Sequence, residues 1–575
     1  MEYFQKIEKV IFAVCVVFIL FLASGAKAAN FSDTVNFYVD KNFDASGRSQ
    51  LSAVLVKSAP SLYFYMEKTW WDSQVFAKQN EILSYLDNLS AEFKNKIYPT
   101  LTSVFGSEWK PGVDGDEKIT VLFHSMKEGA GGYFREADEY LKLQISDSNE
   151  REMLYLPIGN VDDLNLKVLL AHEFVHLVTF NQKNRILGVQ EETWLNEARA
   201  DYSSTILGYD NTYSGSNLQK RVQTFLEKPT DSLTEWQETK YDYGVVGIFT
   251  SYLVDHYGIY ILIDSLKSKL IGINSINYAL QKNGAKEDFS QIFTDWTIAS
   301  VINDCSLDQK YCYLNTNLKN FRLNSALNFL PFSGNSSLSV TDVTKNWSGN
   351  WQKIIGGNGD LKLDFSSLVG LNFQVPYIVF DKNNKYSIKF LKLDKKKQGE
   401  INLKNFGVDY NSLIIIPSLQ TKIEGFDGFE FTYPYTFTVS VAGQASKEDQ
   451  ALIQKLLDQI ASLKKQIADI IAQRNGGNNN NNNAACFQIN NNLSLGMSNN
   501  NDVKCLQSFL KSQGADIYPE GFVTGNFGSL TKSAVIRFQE KYKSEILTPL
   551  GLFSGTGVVG PATRTKINSL LSGRL

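Results

Sequence analysis

Histidine is almost missing from this chain, 4 residues in 575, so two of them at helical spacing carry more weight than usual. Cysteine is sparse too, five in all, and Cys15 sits inside an N-terminal apolar run behind bulky Val14, where a plain apolar role is expected rather than lipidation. An excess of charge is also lacking. With 57 Lys+Arg against 60 Asp+Glu the formal charge is −3, which gives no electrostatic reason to expect nucleic acid or an acidic membrane as partner. A composition of 43% hydrophobic, 13% aromatic and 20% charged residues excludes global disorder and a polytopic membrane protein, and the length suggests roughly three or four domains.

The first thirty residues read as an address. Lys6 and Lys9 precede the apolar run Val10 to Ala23, and Gly25-Ala26-Lys27-Ala28 places small residues at the −3 and −1 positions of a cleavage site. Residues 1–28 are therefore expected to be a secretory signal peptide, with an uncleaved anchor as the alternative; the run is shorter than the ~20 residues of a spanning helix. Past this point remain Cys305, Cys312, Cys486 and Cys505, an even count that in an exported chain suggests disulfides. Of three connectivities, Cys305 with Cys312 and Cys486 with Cys505 keeps each pair within one domain.

The periodicity changes along the chain. Residues 29–330 mix strands such as Ile119–Phe123 with amphipathic stretches such as Leu166 to Phe180, and hold all four histidines. Between 336 and 442 the period becomes two, clearest where Phe437, Val439 and Val441 alternate with Thr436, Thr438 and Ser440, and a β-sandwich is expected. Over 446–474, Ile453, Leu456, Ile460, Leu463, Ile467 and Ile470 recur at alternating spacings of three and four, the seam of a short coiled coil. A parallel dimer and a single spacer helix both fit. Residues 475–485, with Gly476-Gly477 and Asn478 to Asn483, read as a linker. The segment 486–575 is small and helical, and Thr524-Gly-Asn-Phe-Gly528 with Thr531 is echoed by Val559-Gly-Pro-Ala-Thr563, two loop-into-helix units.

The chemistry lies at His172-Glu173-Phe174-Val175-His176. A spacing of four on a helix sets the two imidazoles about 40° apart around the axis and about 6 Å along it, so both reach one metal ion. A chance His-Glu-x-x-His match in so histidine-poor a chain is of order 0.1%. A zinc ion that keeps one position open for water needs a third protein ligand, and Glu197 in Trp194-Leu-Asn-Glu-Ala-Arg-Ala-Asp201 is the candidate. Asp201, one helical turn beyond, is expected to accept the free N–H of a ligating imidazole.

These residues resemble a known family. His172-Glu-Phe-Val-His176 with Asn196-Glu197-x-x-x-Asp201 resembles the gluzincin clan of zinc metallopeptidases, and Trp194 to Asp201 looks most like its hyicolysin-type branch, as do Gly131-Gly-Tyr-Phe134 and Asn149 to Tyr155. The resemblance implies an α+β zincin-like catalytic domain with a mixed sheet and active-site helices. It implies one Zn2+ per chain on His172, His176 and Glu197, Glu173 as general base and acid, and Asp201 behind a ligand histidine. Related aminopeptidases carry a Tyr-x-Lys-Gly stretch after the second helix, which makes Tyr241 the first choice for the oxyanion donor. Tyr243 stands where that lysine would be; it and His256 compete for the role, and His124 is expected to be structural. Asp502 to Gln507, Gly525-Asn-Phe-Gly528 and Ala534 to Gln539 resemble the peptidoglycan-binding domain of bacterial wall enzymes, which implies a three-helix module over 486–575.

The expectation is thus an exported bacterial zinc endopeptidase acting on protein or peptide at the cell wall, held there by peptidoglycan. Two alternatives stand beside it: a hydrolase of peptidoglycan stem peptides, and a catalytically silent wall-binding adhesive protein.

Overall fold

The computed structural model describes residues 34–442 and 488–572, apart from 164, 333, 427, 429, 520, 551 and 553, and between these spans only residues 455, 458, 459, 462 and 466. The signal segment, most of the heptad segment, the asparagine tract and Cys486 lie outside the described residues. The chain divides into two compact units, Met1–Leu456 and Leu457–Leu575. Among the described residues no single helix is long and apolar enough to cross a membrane.

The first unit begins with a six-stranded sheet built from β1 (Thr34–Tyr38), β2 (Gln50–Ser58), β3 (Leu62–Glu67), β4 (Ile119–His124), β5 (Tyr133–Phe134) and β6 (Met153–Pro157). Their order is β1-β2-β3-β4-β6-β5. Strands β3, β4 and β6 run parallel, and every residue of β4 and β6 is buried. The short strand β5 closes the edge antiparallel to β6. One face of this sheet packs on the helices α1 (Phe76–Glu92), α2 (Leu166–Thr179), α3 (Thr193–Ile206), α4 (Asn217–Glu227), α5 (Lys240–Tyr257) and α6 (Phe289–Ile302) through a single large core. Cys305 and Cys312, just after α6, are disulfide-bonded.

Nine further strands follow: β7 (Ala326–Leu330), β8 (Ser336–Thr344), β9 (Gln352–Gly356), β10 (Gly359–Ser367), β12 (Pro376–Asp381), β13 (Tyr386–Phe390), β14 (Gln398–Phe406), β15 (Tyr410–Ile415) and β17 (Tyr433–Ala442); β11 (Phe373–Gln374) and β16 (Ser418–Leu419) pair separately. They form two layers, β13-β12-β15-β9-β7 and β14-β10-β17-β8, linked by one pair, Phe406↔Tyr410. The sheet starts at Ala326 rather than at 336, because β7 pairs in parallel with β9 over five residues. Alternation explains the inner core: Leu361, Leu363 and Phe365 of β10 and Phe437, Val439 and Val441 of β17 face Leu413 and Ile415 of β15. The first layer is covered on its other side as well, where Ile378 and Ile414 join the core shared by α1 to α6.

The second unit holds α7 (Asn501–Ser512), α8 (Ser529–Lys541) and α9 (Pro561–Ser572) around its own core, with Val503, Leu506, Leu510, Phe527, Phe538 and Ile567 fully or almost fully buried.

Candidate metal centre

Helix α2 is apolar on most of its circumference. Leu170, Ala171, Phe174, Val175, Leu177 and Val178 are buried, so the polar groups carried among them sit in a medium of low polarity. Two of those groups, His172 and His176, present Nε2 to a common point with Glu197 of α3. His172 Nε2 lies 3.1 Å from Glu197 Oε2, His176 Nε2 lies 3.5 Å from Glu197 Oε1, and the two Nε2 atoms are 3.2 Å apart. Ligands on a tetrahedral ion bound at about 2.1 Å stand about 3.4 Å from one another. The three edges therefore fit one metal ion, and the donor set of two imidazoles and a carboxylate is one that zinc accepts.

Glu173 is 4% exposed and points toward the edge of the sheet. Burial pushes its carboxyl above the usual range, against the pull of His172 and His176. The edge strand approaches it closely only because residue 132 is glycine: with φ +150°, a Cβ there would stand 2.9 Å from Glu173 Oε1 and 2.9 Å from the Tyr155 carbonyl. The edge strand β5 thus begins beside Glu173.

Asp201 does not do what its spacing suggests. Its Oδ1 accepts from Asn217 Nδ2 at 2.9 Å and from Arg221 Nε and Nη2 at 2.8 and 2.6 Å, and its hydrogen bonds and ion pair go to these α4 residues rather than to a histidine. Helix α4 comes that close because α5 offers glycines where it passes. A Cβ on Gly244 would lie 2.7 Å from the Phe225 backbone nitrogen, and one on Gly247 would lie 2.8 Å from Arg221 Cγ. Asn196, beside Glu197 on the same helix, is a neutral polar neighbour of His176, and its buried Oδ1 has no hydrogen-bond partner.

The tyrosines also change order. Tyr241, the first choice from sequence, stands between the ammonium groups of Lys228 and Lys240, each 5.2 Å from its ring. Tyr243 is the one beside the centre: its ring is 6.3 Å from that of His172, 4.8 Å from Trp236, and the Arg221 guanidinium lies 4.7 Å over it. Burial, then the charges of Glu197 and Glu173, raise the Tyr243 hydroxyl well above its ordinary value, so it stays a donor. His256 is engaged elsewhere, 2.9 Å from the Cys312 carbonyl. His124 is buried, with Nε2 3.2 Å from the Tyr133 hydroxyl and Nδ1 3.4 Å from Asp44. Sequence reasoning missed Asn196, Trp236 and Arg221. Asn196 stood in the quoted motif beside the ligand, whereas nothing local marks Arg221, which reaches the site through the packing of α4 on α5.

Comparison with known proteins gives two relationships. The chain is a distant homologue of the neutral metalloprotease ShpI of Staphylococcus hyicus, 28% identical over 192 residues, covering 29% of this chain and 41% of that protein. The chain therefore spans less than half the length of this curated relative. Residues 499–567 match the family described as "Putative peptidoglycan binding domain". Among solved structures, the pre-peptidase C-terminal domain of a Bacillus anthracis collagenase covers 20% of this chain and 96% of its own at 6% identity, with a TM-score of 0.15. The Yersinia pseudotuberculosis-derived mitogen covers 20% and 92% at 12% identity, with a TM-score of 0.14. At such scores these two likenesses carry no argument.

Proposed function

We propose that this protein is an exported zinc-dependent endopeptidase of the gluzincin clan, hyicolysin type, which cleaves proteins at or near the bacterial cell wall. The observation that carries the reading is the convergence of His172, His176 and Glu197 on one point beside a buried Glu173. Distant homology to a neutral metalloprotease supports it, and the match over 499–567 supports placement on peptidoglycan. The small-residue site after the apolar run supports export.

A zinc ion on these three side chains would lower the pKa of its water toward ~7 and polarise a scissile carbonyl. The chain's own residues supply the rest. An extended substrate pairs with the free edge of β5, which aligns its backbone beside Glu173. Glu173 takes a proton from the attacking water and delivers it to the leaving amine, a task its raised pKa suits. Tyr243 donates its hydroxyl proton in a hydrogen bond to the oxyanion of the tetrahedral intermediate. Arg221, fixed by Asp201, holds the Tyr243 ring in place.

A second reading, hydrolysis of peptidoglycan stem peptides, is favoured by the 499–567 match, since the module would concentrate the centre on that polymer. One assay series separates these readings from a silent adhesive protein: zinc content, casein hydrolysis and release of stem peptides from purified sacculi. About one zinc per chain and chelator-sensitive casein cleavage are expected. Glu173→Gln should keep the zinc and lose activity, Tyr243→Phe should lower kcat by about 10²–10³, and Tyr241→Phe should leave it unchanged. Zinc-loaded wild-type protein that cleaves sacculi and not casein favours the stem-peptide reading; absence of zinc overturns both.

A further inference from the structure

Strands β5 and β6 are joined by a connection that buries more negative charge than it has partners for. Glu139 is 3% exposed, and neither of its carboxylate oxygens has a hydrogen-bond partner. Glu152, 2% exposed, accepts the Val113 N–H on Oε1 at 2.8 Å, and its Oε2 is without a partner. Glu108, 1% exposed, receives the Tyr98 hydroxyl at 3.2 Å and the Lys110 ammonium at 3.5 Å on Oε1, while its Oε2 is bare.

The backbone brings these groups together. The Arg151 N–H donates to the Asp138 carbonyl at 3.0 Å, so Glu139 and Glu152 follow two residues that are bonded to each other. From the other side comes Gly112, with φ +93°, so near that a Cβ there would stand 1.8 Å from Glu152 Oε2. Exposed Asp114 adds its charge to both glutamates. Burial, with the charges of Asp114 and Glu108, pushes Glu152 up to about 7, and burial, with the charges of Glu152, Asp138 and Asp114, pushes Glu139 well above its ordinary value. The nearby cations have other positions: Lys110 is on Glu108, Arg185 lies 3.7 Å over the Trp109 ring and Arg151 lies 5.3 Å over the Phe37 ring. Glutamine would fill the same volumes without the repulsion, so the carboxylates call for a counter-ion.

We propose that Glu139 and Glu152 bind a hard divalent cation, calcium, between the β5–β6 connection and the loop 108–114. The donors are all oxygen, with neither imidazole nor thiolate, which suits calcium rather than a second zinc. Among the described residues, the His172–His176–Glu197 set is the acidic and histidine group whose donor atoms converge within 4.8 Å. Two carboxylates leave the remaining ligands to water and main-chain oxygens, which calcium's flexible shell accepts more readily than magnesium's rigid octahedron. Glu108 and Asp114 act by charge and through bound water. The ion ties down the connection whose Gly132 packs on Glu173, so it steadies the sheet edge beside Glu173 without entering the chemistry. The proposal stands whether or not the peptidase reading does.

The test uses the full-length protein in calcium-free buffer with zinc kept present, titrated with Ca2+ and, separately, Mg2+. Calcium at about ten times its dissociation constant should raise the melting temperature by about 3 °C, with little response to magnesium. Glu139→Gln and Glu152→Gln should each melt no lower than wild type without calcium and lose the calcium-dependent rise. Calorimetric titration of the wild type alone should give about one calcium that competes poorly with magnesium. No calcium-dependent rise in the wild type, or an equal rise in both variants, overturns the site and assigns these carboxyls as protonated in the folded chain.

Discussion

The β-sandwich and the C-terminal helical module are attached to their surroundings in opposite ways. The sandwich shares its core with the helices of the first part of the chain: Trp347 packs on Phe289 and Phe293 of α6 with ring centroids 4.9 and 5.4 Å away, and Trp351 Nε1 donates to the Thr297 carbonyl at 2.8 Å. Backbone joins in, since the Leu233 N–H donates to the Trp347 carbonyl at 2.8 Å. At the N-cap of the helix that carries Glu197, Glu192 receives the Gly425 N–H at 2.7 Å. The helical module instead closes a core made only of its own residues. Both regions look like appended domains by composition, yet only one has the closed core of a separable domain. Independence is decided by whether an apolar face is left to be covered from outside.

The largest way to break this contrast is deletion. Removing residues 326–442 uncovers Phe225, Phe289 and Phe293, and should leave the remaining part insoluble and inactive. Removing 488–575 should leave casein hydrolysis within about a factor of two, with sacculus binding lost. A soluble, active form lacking the sandwich would sink the shared-core account. The milder probe is Trp347→Ala, which creates a cavity between the two parts and should cost about 3–5 kcal/mol. Calorimetry with separate transitions for the two units checks it: the first should fall steeply, and the transition of the module should not move.

The sequence was readable where one face of an element decides its pattern. Strand β17 alternates because Phe437, Val439 and Val441 face inward while Thr436, Thr438 and Ser440 remain only half-buried on the outer side. Strand β15 and the residue after it read Leu413-Ile414-Ile415-Ile416, a continuous apolar run, because Leu413 and Ile415 face the second layer and Ile414 and Ile416 face the helices. That run announces burial on both sides but not by what. Likewise the spacing of His172 and His176 is set within one helix and was visible. The partner of Asp201 was not, because Arg221 arrives on another helix through glycine-mediated packing. The choice of tyrosine had a readable clue. Thr239 and Asp242 form a capping box that starts α5 at Lys240. Tyr243 then shares a face with Gly247, which lies against Asp201 and Arg221, and Tyr241 lies about 200° around the axis from Tyr243.

The finest test concerns the module's two halves, which repeat one device. Gln507 of α7 donates from Nε2 to the Asn526 carbonyl and the Thr531 hydroxyl, both at 2.9 Å, and accepts the Thr524 and Gly525 N–H groups on Oε1 at 2.7 and 2.9 Å. Gln539 of α8 does the same one unit later. Its Nε2 donates to the Val558 carbonyl and the Thr563 hydroxyl at 2.8 and 2.9 Å, and its Oε1 accepts the Gly557 N–H at 2.9 Å. Each glutamine, 1% exposed, satisfies buried loop groups that no water replaces when it is removed. Gln507→Ala and Gln539→Ala should therefore each cost about 1–3 kcal/mol in the module's transition and weaken sacculus binding, with casein hydrolysis unchanged. A loss of casein hydrolysis in either variant would mean that the module's core is not closed after all, and the contrast between the two regions would fail.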